Sequence, residues 1–316
     1  MPPLSAAQTS SSKARLKDKD YVRTKSGLLF NVTGYDHLES HFYGSLKYVS
    51  GKKWTSGYAV AKLFLAEHYP DYVEEFIQIP KAEIDSCFLP RRRWEQLQRI
   101  AADQPANLGA LHSEALELGG AIQAILKIPP SALGITDSLL WGEGHAESDI
   151  DLVVLGLSNV RRVTSHGDLL YRESIDFQRP NPNVMCSPYG LNVEDWPRLL
   201  EKKVHMGSFR GRLFSVRGVL DDDELERRRS QSSRLVETIG SETIEFEVVD
   251  VSESLLFPAV YRNRHGDELI DYSVVYEGVF RAGDRVRCEC DVETVENPSR
   301  RFRRYTMIGT AKVQFA

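Results

Sequence analysis

The chain has 316 residues, of which 41% are hydrophobic and 27% are charged. This is the composition of a globular protein, and the length exceeds what one hydrophobic core usually serves, so we expect two or three domains. The formal net charge of −5 at pH 7 excludes a positive field over the whole molecule that would draw it onto nucleic acid. Any such contact must come from local basic patches.

The four cysteines are too few and too scattered for a disulfide framework in a chain of this length. Cys288 and Cys290 alternate along a predicted strand, and we interpret both as buried reduced thiols. The N-terminal residues lack the apolar core of a signal peptide or anchor, and no segment approaches the ~20 apolar residues of a membrane span. These features predict a cytoplasmic protein without membrane contact.

The N-terminal part of the chain predicts a tail and a small module. Residues 1–18 are rich in Ser, Thr, Lys and Pro, which predicts a disordered tail. Two short strands around residues 25–27 and a third strand over 41–49 follow. A helix with apolar spacing at Val60, Leu63, Phe64 and Tyr69 then ends at a proline. Together these elements predict a small α/β module over residues 19–90.

The middle of the chain, residues 91–230, predicts a mixed sheet with helices. Apolar residues recur every three or four positions over 108–126, which indicates a helix with one buried face. Short strands are expected over 133–140 and 150–155, on either side of a Gly-rich loop. Further strands over 169–172 and 212–220 and a helix over 193–204 complete the predicted core.

The C-terminal part, residues 240–316, alternates in the manner of β structure. Four or five strands with little helix predict a barrel-like domain, and the oligonucleotide-binding barrel is one form of it. Strands are predicted over residues 243–251, 273–280, 284–295 and 303–313. The fold class is therefore expected to be α+β.

Two carboxylates stand two residues apart at the start of the predicted strand over 150–155. Side chains at this spacing project from the same face, so Asp149 and Asp151 are expected side by side. Two like charges this close are unfavourable unless cations neutralise them. Mg²⁺ or Mn²⁺ would do so, and would also activate a hydroxyl and stabilise a leaving pyrophosphate. In isolation, Asp-X-Asp is more often a solvated pair.

The sequence around Ser138 favours a metal-binding pair of aspartates over a solvated pair. Ser138 stands eleven positions before Asp149, after a short apolar stretch, and opens the segment that ends at Gly142. The hydroxyl and backbone N–H groups of such a turn suit triphosphate oxygens, so Ser138 and Gly142 are candidate nucleotide-binding residues. A phosphate-binding turn followed by paired acids on a strand supplies the positioning and charge compensation that nucleotidyl transfer requires.

The segment from Gly134 to Gly156 resembles the core motif of the DNA polymerase beta-like nucleotidyltransferase superfamily, which reads Gly-Ser, a spacer and Asp-X-Asp. Ser138, Asp149 and Asp151 match the motif. The resemblance implies a nucleotidyltransferase-type mixed sheet, Mg²⁺ or Mn²⁺ on the two aspartates, and transfer of a nucleoside monophosphate from a nucleoside triphosphate. The hydroxyl acceptor stays open among RNA, DNA, protein and a small molecule, and no protein partner is indicated.

A wider resemblance covers nearly the whole chain. Four stretches together resemble a group of predicted nucleotidyltransferases found mainly in archaea, for which no substrate is assigned. These stretches are residues 21–30, 134–156, 207–214 and 252–261.

Two departures from the superfamily pattern matter. Asp137 stands where the motif has glycine, and it adds a Cβ and a negative charge beside the expected phosphate site. The usual third carboxylate also has no clear place. Asp221, just after the predicted strand over 212–220, is the nearest candidate, although a solvated charge run is the alternative interpretation.

These departures support a competing hypothesis, in which the fold persists in a catalytically faded protein that binds nucleic acid or regulates. The segment from Arg300 to Tyr305 interleaves aromatic residues with arginines, which suits single-stranded nucleic acid or an ordinary strand equally. A toxin–antitoxin or defence role, common among minimal superfamily members, is a third hypothesis that the resemblance allows.

Overall fold

The computed structural model describes residues 8–10, 15–142, 144–185, 195–230, 233–307 and 313–315. Within these ranges the protein is a mixed α+β fold with three sheets. It divides into two compact units, each made of two separate stretches of chain. The first unit comprises Met1–Glu117 and Leu133–Val153, and the second comprises Leu118–Ala132 and Val154–Ala316. The domain boundaries expected near residues 90 and 230–240 stay predictions.

The first unit contains an antiparallel sheet. Its strands are β1 (Gln8–Ser10), β2 (Tyr21–Thr24), β3 (Leu28–Val32), β4 (His41–Val49), β5 (Lys52–Lys53), β6 (Gln78–Pro80) and β7 (Ile84–Phe88). Their order is β1-β7-β2-β3-β4-β5, and β6 pairs with β4. The predicted strands β2, β3 and β4 are confirmed. Of the predicted disordered tail over residues 1–18, residues 8–10 form β1, which pairs with β7, and Leu16 is buried. The prediction for residues 1–7 and 11–14 lies outside the described residues.

Alternating side chains give this sheet two apolar faces. Val22 and Phe30 belong to one core cluster, together with Ala61 and Leu65 of α1 (Gly57–His68). The opposite face contributes to a second cluster, which is Tyr21, Leu29, Phe88, Leu140 and Trp141. The helix α1 is present as predicted, and Phe64 of its predicted apolar face packs against the first cluster, but the rest of that face within the helix is wrong. Val60 and Leu63 are exposed, since α1 packs through other residues.

The first unit also includes the segment that carries the motif. Its further elements are α2 (Pro90–Asp103), the beginning of α3 (Ala110–Leu126), β8 (Leu133–Ile135), α4 (Ser138–Trp141) and the beginning of β9 (Ile150–Leu155). The strand predicted over 133–140 is wrong beyond Ile135. Asp137 has a φ of 50°, which ends the extended backbone, and one helical turn follows it.

The strand β8 passes close to its neighbours at Gly134. A Cβ at this position would lie 2.7 Å from the Val153 side chain and 2.9 Å from backbone atoms of Pro90 and Arg91. Glycine therefore allows β8 to pack directly against β9 and the first turn of α2.

We expect Gly134→Ala to lower the free energy of unfolding by about 1–3 kcal/mol, because the added methyl group overpacks this contact. Gly120 in α3 provides a matched control, since a Cβ there meets no atom within 4 Å. Gly120→Ala should raise stability by about 0.5–1 kcal/mol through helix propensity. Denaturant titrations measure both changes, and equal effects would contradict the close packing at Gly134.

The second unit begins with a small sheet and several helices. Its helices are the rest of α3, α5 (Leu157–His166), α6 (Asp168–Glu173), α7 (Asp195–Lys202) and α8 (Asp222–Ser230), and its first strands are β10 (Phe177–Gln178), β11 (Met206–Phe209) and β12 (Arg212–Val219). Within this unit the strand order is β10-β11-β12, followed by the end of β9. The strand predicted over 169–172 is wrong, because these residues lie in α6. No helix within the described ranges is long and apolar enough to cross a membrane.

The second unit ends in a larger sheet. Its strands are β13 (Arg234–Glu247), β14 (Asp250–Glu253), β15 (Ala259–Arg262), β16 (Glu268–Asp271), β17 (Arg285–Asn297), β18 (Arg300–Met307) and β19 (Gln314–Phe315). The order is β13-β17-β18-β16-β15-β14, with β19 beside β17. Because β13 and β14 lie at opposite ends, the described strands form an open sheet and the expected barrel closure does not occur. The strand predicted over 273–280 is also wrong, since these residues form turns and bends.

Three of the four cysteines lie in described parts of the chain. Cys87, Cys288 and Cys290 are free and buried, which confirms the prediction for Cys288 and Cys290. Cys288 and Cys290 face the same core from β17, with their Sγ atoms 3.5 Å apart. Cys186 lies outside the described residues.

His205 is a buried imidazole in the second unit. Its side chain is fully buried, and neither ring nitrogen has a hydrogen-bond partner among the described residues. Burial lowers the pKa of His205 well below its ordinary value, and the positive charges of Lys203, Arg217 and Arg281 lower it further. The folded protein therefore keeps this imidazole neutral.

His205 should make the protein less stable in mild acid. The unfolded chain binds a proton at this imidazole below about pH 6.5, whereas the folded chain resists protonation. Stability therefore falls as the pH drops below that value, by up to about 1.4 kcal/mol per pH unit. His205→Leu should reduce this slope in denaturant titrations, whereas His265→Leu, at an exposed position, should not. An unchanged slope in the His205 variant would contradict the neutral state assigned to this imidazole.

Candidate active site

The paired aspartates lie at the start of β9. Asp149 is exposed and Asp151 is half-buried, whereas Ile150 and Leu152 are buried. This alternation places both carboxylates on the same face of the strand, as predicted from their spacing. The arrangement presents two negative charges on one side and anchors the strand through its apolar neighbours.

The neighbouring strand β8 brings the expected phosphate-binding turn beside this pair. The backbone N–H of Thr136 donates to the carbonyl oxygen of Asp151 at 2.9 Å. Asp137 and Ser138 follow directly and are both half-buried. Ser138, Asp149 and Asp151 therefore belong to two hydrogen-bonded segments of the first unit.

Asp137 holds a backbone conformation in this turn that favours glycine. Its φ of 50° and ψ of −139° lie in a region that favours glycine, and another residue held there costs about 1–3 kcal/mol. In this chain an aspartate adopts the conformation that glycine adopts freely. The aspartate must therefore be held by its surroundings.

Two residues of the N-terminal sheet contact the Asp137 carboxylate. The hydroxyl of Tyr21 donates a hydrogen bond to its Oδ1 atom at 2.5 Å. The Nζ atom of Lys47, on β4, lies 3.8 Å from the same oxygen. Burial raises the pKa of Tyr21 well above its ordinary value, and the charge of Asp137 adds to this, so Tyr21 remains a donor. Neither residue was predicted from the sequence, although Tyr21 opens one of the four stretches on which the wider resemblance rests.

The helix α4 is fixed by aromatic and polar contacts. Trp141 packs against Tyr21 and Tyr48, with ring centroids 4.6 and 5.3 Å apart. The Nε atom of buried Arg93 donates to the carbonyl oxygen of Leu139 at 3.2 Å. Burial lowers the pKa of Arg93 to about 10, which still leaves the guanidinium charged at neutral pH.

Gly142 ends α4. Its φ of 92° is left-handed, so its evident role is that of a helix C-cap. Its role in nucleotide binding stays a prediction.

A short hydrogen-bonded turn leads from α4 to the aspartates. The backbone N–H of His145 donates to the Ser148 hydroxyl at 3.1 Å, and the backbone N–H of Ser148 donates to the His145 carbonyl at 2.9 Å. Ser148 is buried, whereas His145 is exposed. The turn thus holds the chain immediately before Asp149.

Asp221 has a structural role in the second unit. Its Oδ1 atom accepts from the backbone N–H of Glu224 at 2.8 Å, and the Glu224 carboxylate accepts from the backbone N–H of Asp221 at 3.0 Å. This is a capping box at the start of α8. The Asp-X-X-Glu spacing signals it in the sequence, but the surrounding charge run obscures the signal. A role for Asp221 as the third catalytic carboxylate stays a prediction.

The described residues contain no group of three or more His, Cys, Asp or Glu side chains that could hold a metal ion. Asp149 and Asp151 therefore stand as a pair of candidate ligands. A bound nucleotide would have to supply further oxygen atoms, which is usual for magnesium sites that act on phosphates.

The basic strand β18 is occupied with contacts of its own. Arg301 pairs with Glu296 and Arg304 pairs with Glu268, each at 3.2 Å. Phe302 is buried. These contacts favour the interpretation of an ordinary strand over that of a surface on which bases stack.

Removing the Tyr21 hydroxyl should test how Asp137 is held. We expect Tyr21→Phe to lower the free energy of unfolding by about 1.5–3 kcal/mol, because a hydrogen bond to a charged group is lost while the ring still packs on Trp141. In an Asp137→Ala background the same substitution should cost clearly less. Denaturant titrations of the four proteins give this double-mutant cycle, and a zero coupling energy would contradict the contact.

Comparisons with known proteins show a distant similarity over nearly the whole chain. The chain is similar to the uncharacterized protein MJ1086 of Methanocaldococcus jannaschii, at 20% identity over 338 aligned positions that cover 95% of this chain and 97% of the relative. No family model matches the chain. No solved structure matches it either. These findings establish a distant archaeal relative over the full length, and no family assignment follows from them.

Proposed function

We propose that the protein is a metal-dependent nucleotidyltransferase, which transfers a nucleoside monophosphate from a nucleoside triphosphate to a hydroxyl acceptor. The observation that carries the proposal is the pairing of β8 with β9 at Thr136 and Asp151. This pairing brings the turn at Ser138 next to a strand that presents two carboxylates on one face. We assign β8, α4 and β9 to a nucleotidyltransferase-type core on this basis.

The paired aspartates fit divalent cations by their chemistry. Carboxylate oxygens are the ligands that Mg²⁺ and Mn²⁺ prefer, and two neighbouring carboxylates are stabilised when a cation neutralises them. A bound ion would polarise the α-phosphate and lower the pKa of the attacking hydroxyl. Asp149 and Asp151 would hold the ion, and their position at the start of an anchored strand fixes its place.

The residues of the β8–α4 turn would orient the triphosphate. The Ser138 hydroxyl is a donor for phosphate oxygens, and the packing of Trp141 keeps the turn in place. In the reaction, the acceptor oxygen bonds to the α-phosphorus while the bond from this phosphorus to the bridging oxygen breaks. Pyrophosphate leaves and the hydroxyl proton is released. The protein contributes positioning and charge compensation, which are the main requirements of this chemistry.

A second candidate is a catalytically faded member of the same fold with a binding or regulatory role. The observation that favours it is Asp137, whose negative charge stands beside the expected phosphate position and whose backbone occupies the glycine region. The arginines of β18 that form ion pairs argue against this strand as the nucleic-acid surface of such a protein.

Labelling with α-³²P nucleoside triphosphates in the presence of Mn²⁺ tests the enzyme. RNA, DNA and the protein itself serve as acceptors, and pyrophosphate release is followed in parallel. The wild type should release pyrophosphate, and Asp149→Ala/Asp151→Ala should lower the rate by at least about a hundredfold, because the metal ligands are lost.

A second acidic pair provides the matched control. Glu289 and Asp291 on β17 are also two residues apart and exposed. Glu289→Ala/Asp291→Ala should leave the rate unchanged. Activity that survives in the Asp149/Asp151 variant would contradict the assignment of these two residues to the active site. Nucleotide binding by a wild type that releases no pyrophosphate with any acceptor would favour the faded protein.

A further inference from the structure

We propose that Lys47 of the N-terminal sheet binds the polyphosphate of the nucleotide, and that Asp137 is the anion with which Lys47 pairs when no nucleotide is bound. This inference rests on the proposed function. It adds a residue from outside the motif segment and gives Asp137 a role as a competitor of the substrate.

The position of Lys47 carries the proposal. Its Nζ atom lies 3.8 Å from Oδ1 of Asp137, and Asp137 immediately precedes Ser138. The ammonium group is therefore already at the turn that the proposed function assigns to the triphosphate. A lysine ammonium on a flexible stem acts as a mobile point charge for phosphate groups.

The contact between Lys47 and Asp137 is suited to exchange. Their side chains are 38% and 34% exposed, and 3.8 Å is too long for a hydrogen bond. Solvent-screened pairs of this kind contribute about 0–1 kcal/mol, so Lys47 can leave Asp137 at little cost. A triphosphate carries several negative charges and would be the stronger partner.

The strand β4 is held against the turn by the residue that follows Lys47. The ring of Tyr48 packs edge-on against Trp141 at 5.3 Å. The carbonyl oxygen of Lys47 also accepts from the backbone N–H of Trp54 at 2.8 Å. The backbone at Lys47 is thus anchored to α4, while the side chain remains partly exposed to solvent.

The negative charges around the turn make a cation such as Lys47 necessary for phosphate binding. Asp137 adds a negative charge at a position where the superfamily motif has none, and this charge opposes an incoming phosphate. Tyr21 donates to the same carboxylate and can keep Asp137 in place after Lys47 has moved. Lys47 would then contact the polyphosphate, while the metal ion would neutralise Asp149 and Asp151.

Calorimetric titration of ATP with Mn²⁺ into the full chain tests this assignment. Lys47→Ala should weaken ATP binding about tenfold, and Lys47→Arg should retain most of the affinity because the charge is kept. Lys53→Ala is the matched control, since Lys53 is an exposed lysine on β5 in register with Tyr48. It should bind ATP as the wild type does.

A double-mutant cycle shows whether Lys47 contacts the phosphates or acts only by neutralising the charge of Asp137. Asp137→Asn should tighten ATP binding several-fold, because the competing charge is removed while an oxygen remains for Tyr21. Lys47→Ala should still weaken binding about tenfold in this background. Full rescue of Lys47→Ala by Asp137→Asn would overturn the direct role of Lys47.

The outcomes also separate the two proposals. ATP binding that Lys47→Ala leaves unaltered, or that Lys53→Ala weakens equally, overturns the role of Lys47 alone. A wild type that does not bind ATP with Mn²⁺ overturns the proposed function together with this inference. Melting temperatures of all variants show that a weaker titration does not come from unfolding.

Discussion

The backbone turn at Asp137 organises the motif segment, because it ends β8 and lets α4 begin in front of the paired aspartates. Its positive φ carries a conformational cost of about 1–3 kcal/mol for a residue with a side chain. The contacts of the carboxylate with Tyr21 and Lys47 offset part of this cost, and glycine would make neither contact. The aspartate thus links the turn to the N-terminal sheet, although a glycine would adopt this backbone conformation more easily.

Charge is the second constraint on this segment. Asp137, Asp149 and Asp151 place three carboxylates on two hydrogen-bonded stretches of the first unit, and the proposed nucleotide would bring further negative charge. Binding under these conditions depends on cations, which a divalent metal and Lys47 would supply. The proposed function and the additional carboxylate of Asp137 are therefore compatible when Lys47 of the N-terminal sheet supplies the matching positive charge.

The local parts of the site could be predicted from the sequence, and the parts that depend on tertiary contacts could not. The alternation around Asp149 and Asp151 follows from the geometry of one strand, so it was predicted. The apolar run from Leu139 to Trp141 fits a strand or a helix equally, and only the conformation of Asp137 decides for the helix. Tyr21 lies 116 residues from Asp137 and carries no sequence signal of that contact. The same limit explains the error on the C-terminal sheet, because alternation identifies strands and says nothing about closure.

The first unit is assembled from two stretches of chain that are separated by Leu118–Ala132. Tyr21 comes from the first stretch, whereas Leu140, Trp141 and the motif come from the second. During synthesis the N-terminal sheet therefore leaves the ribosome long before the residues that cover one of its faces. Until Leu140 and Trp141 have been made, Tyr21, Leu29 and Phe88 lack these two packing partners, and uncovered apolar side chains of this kind promote aggregation.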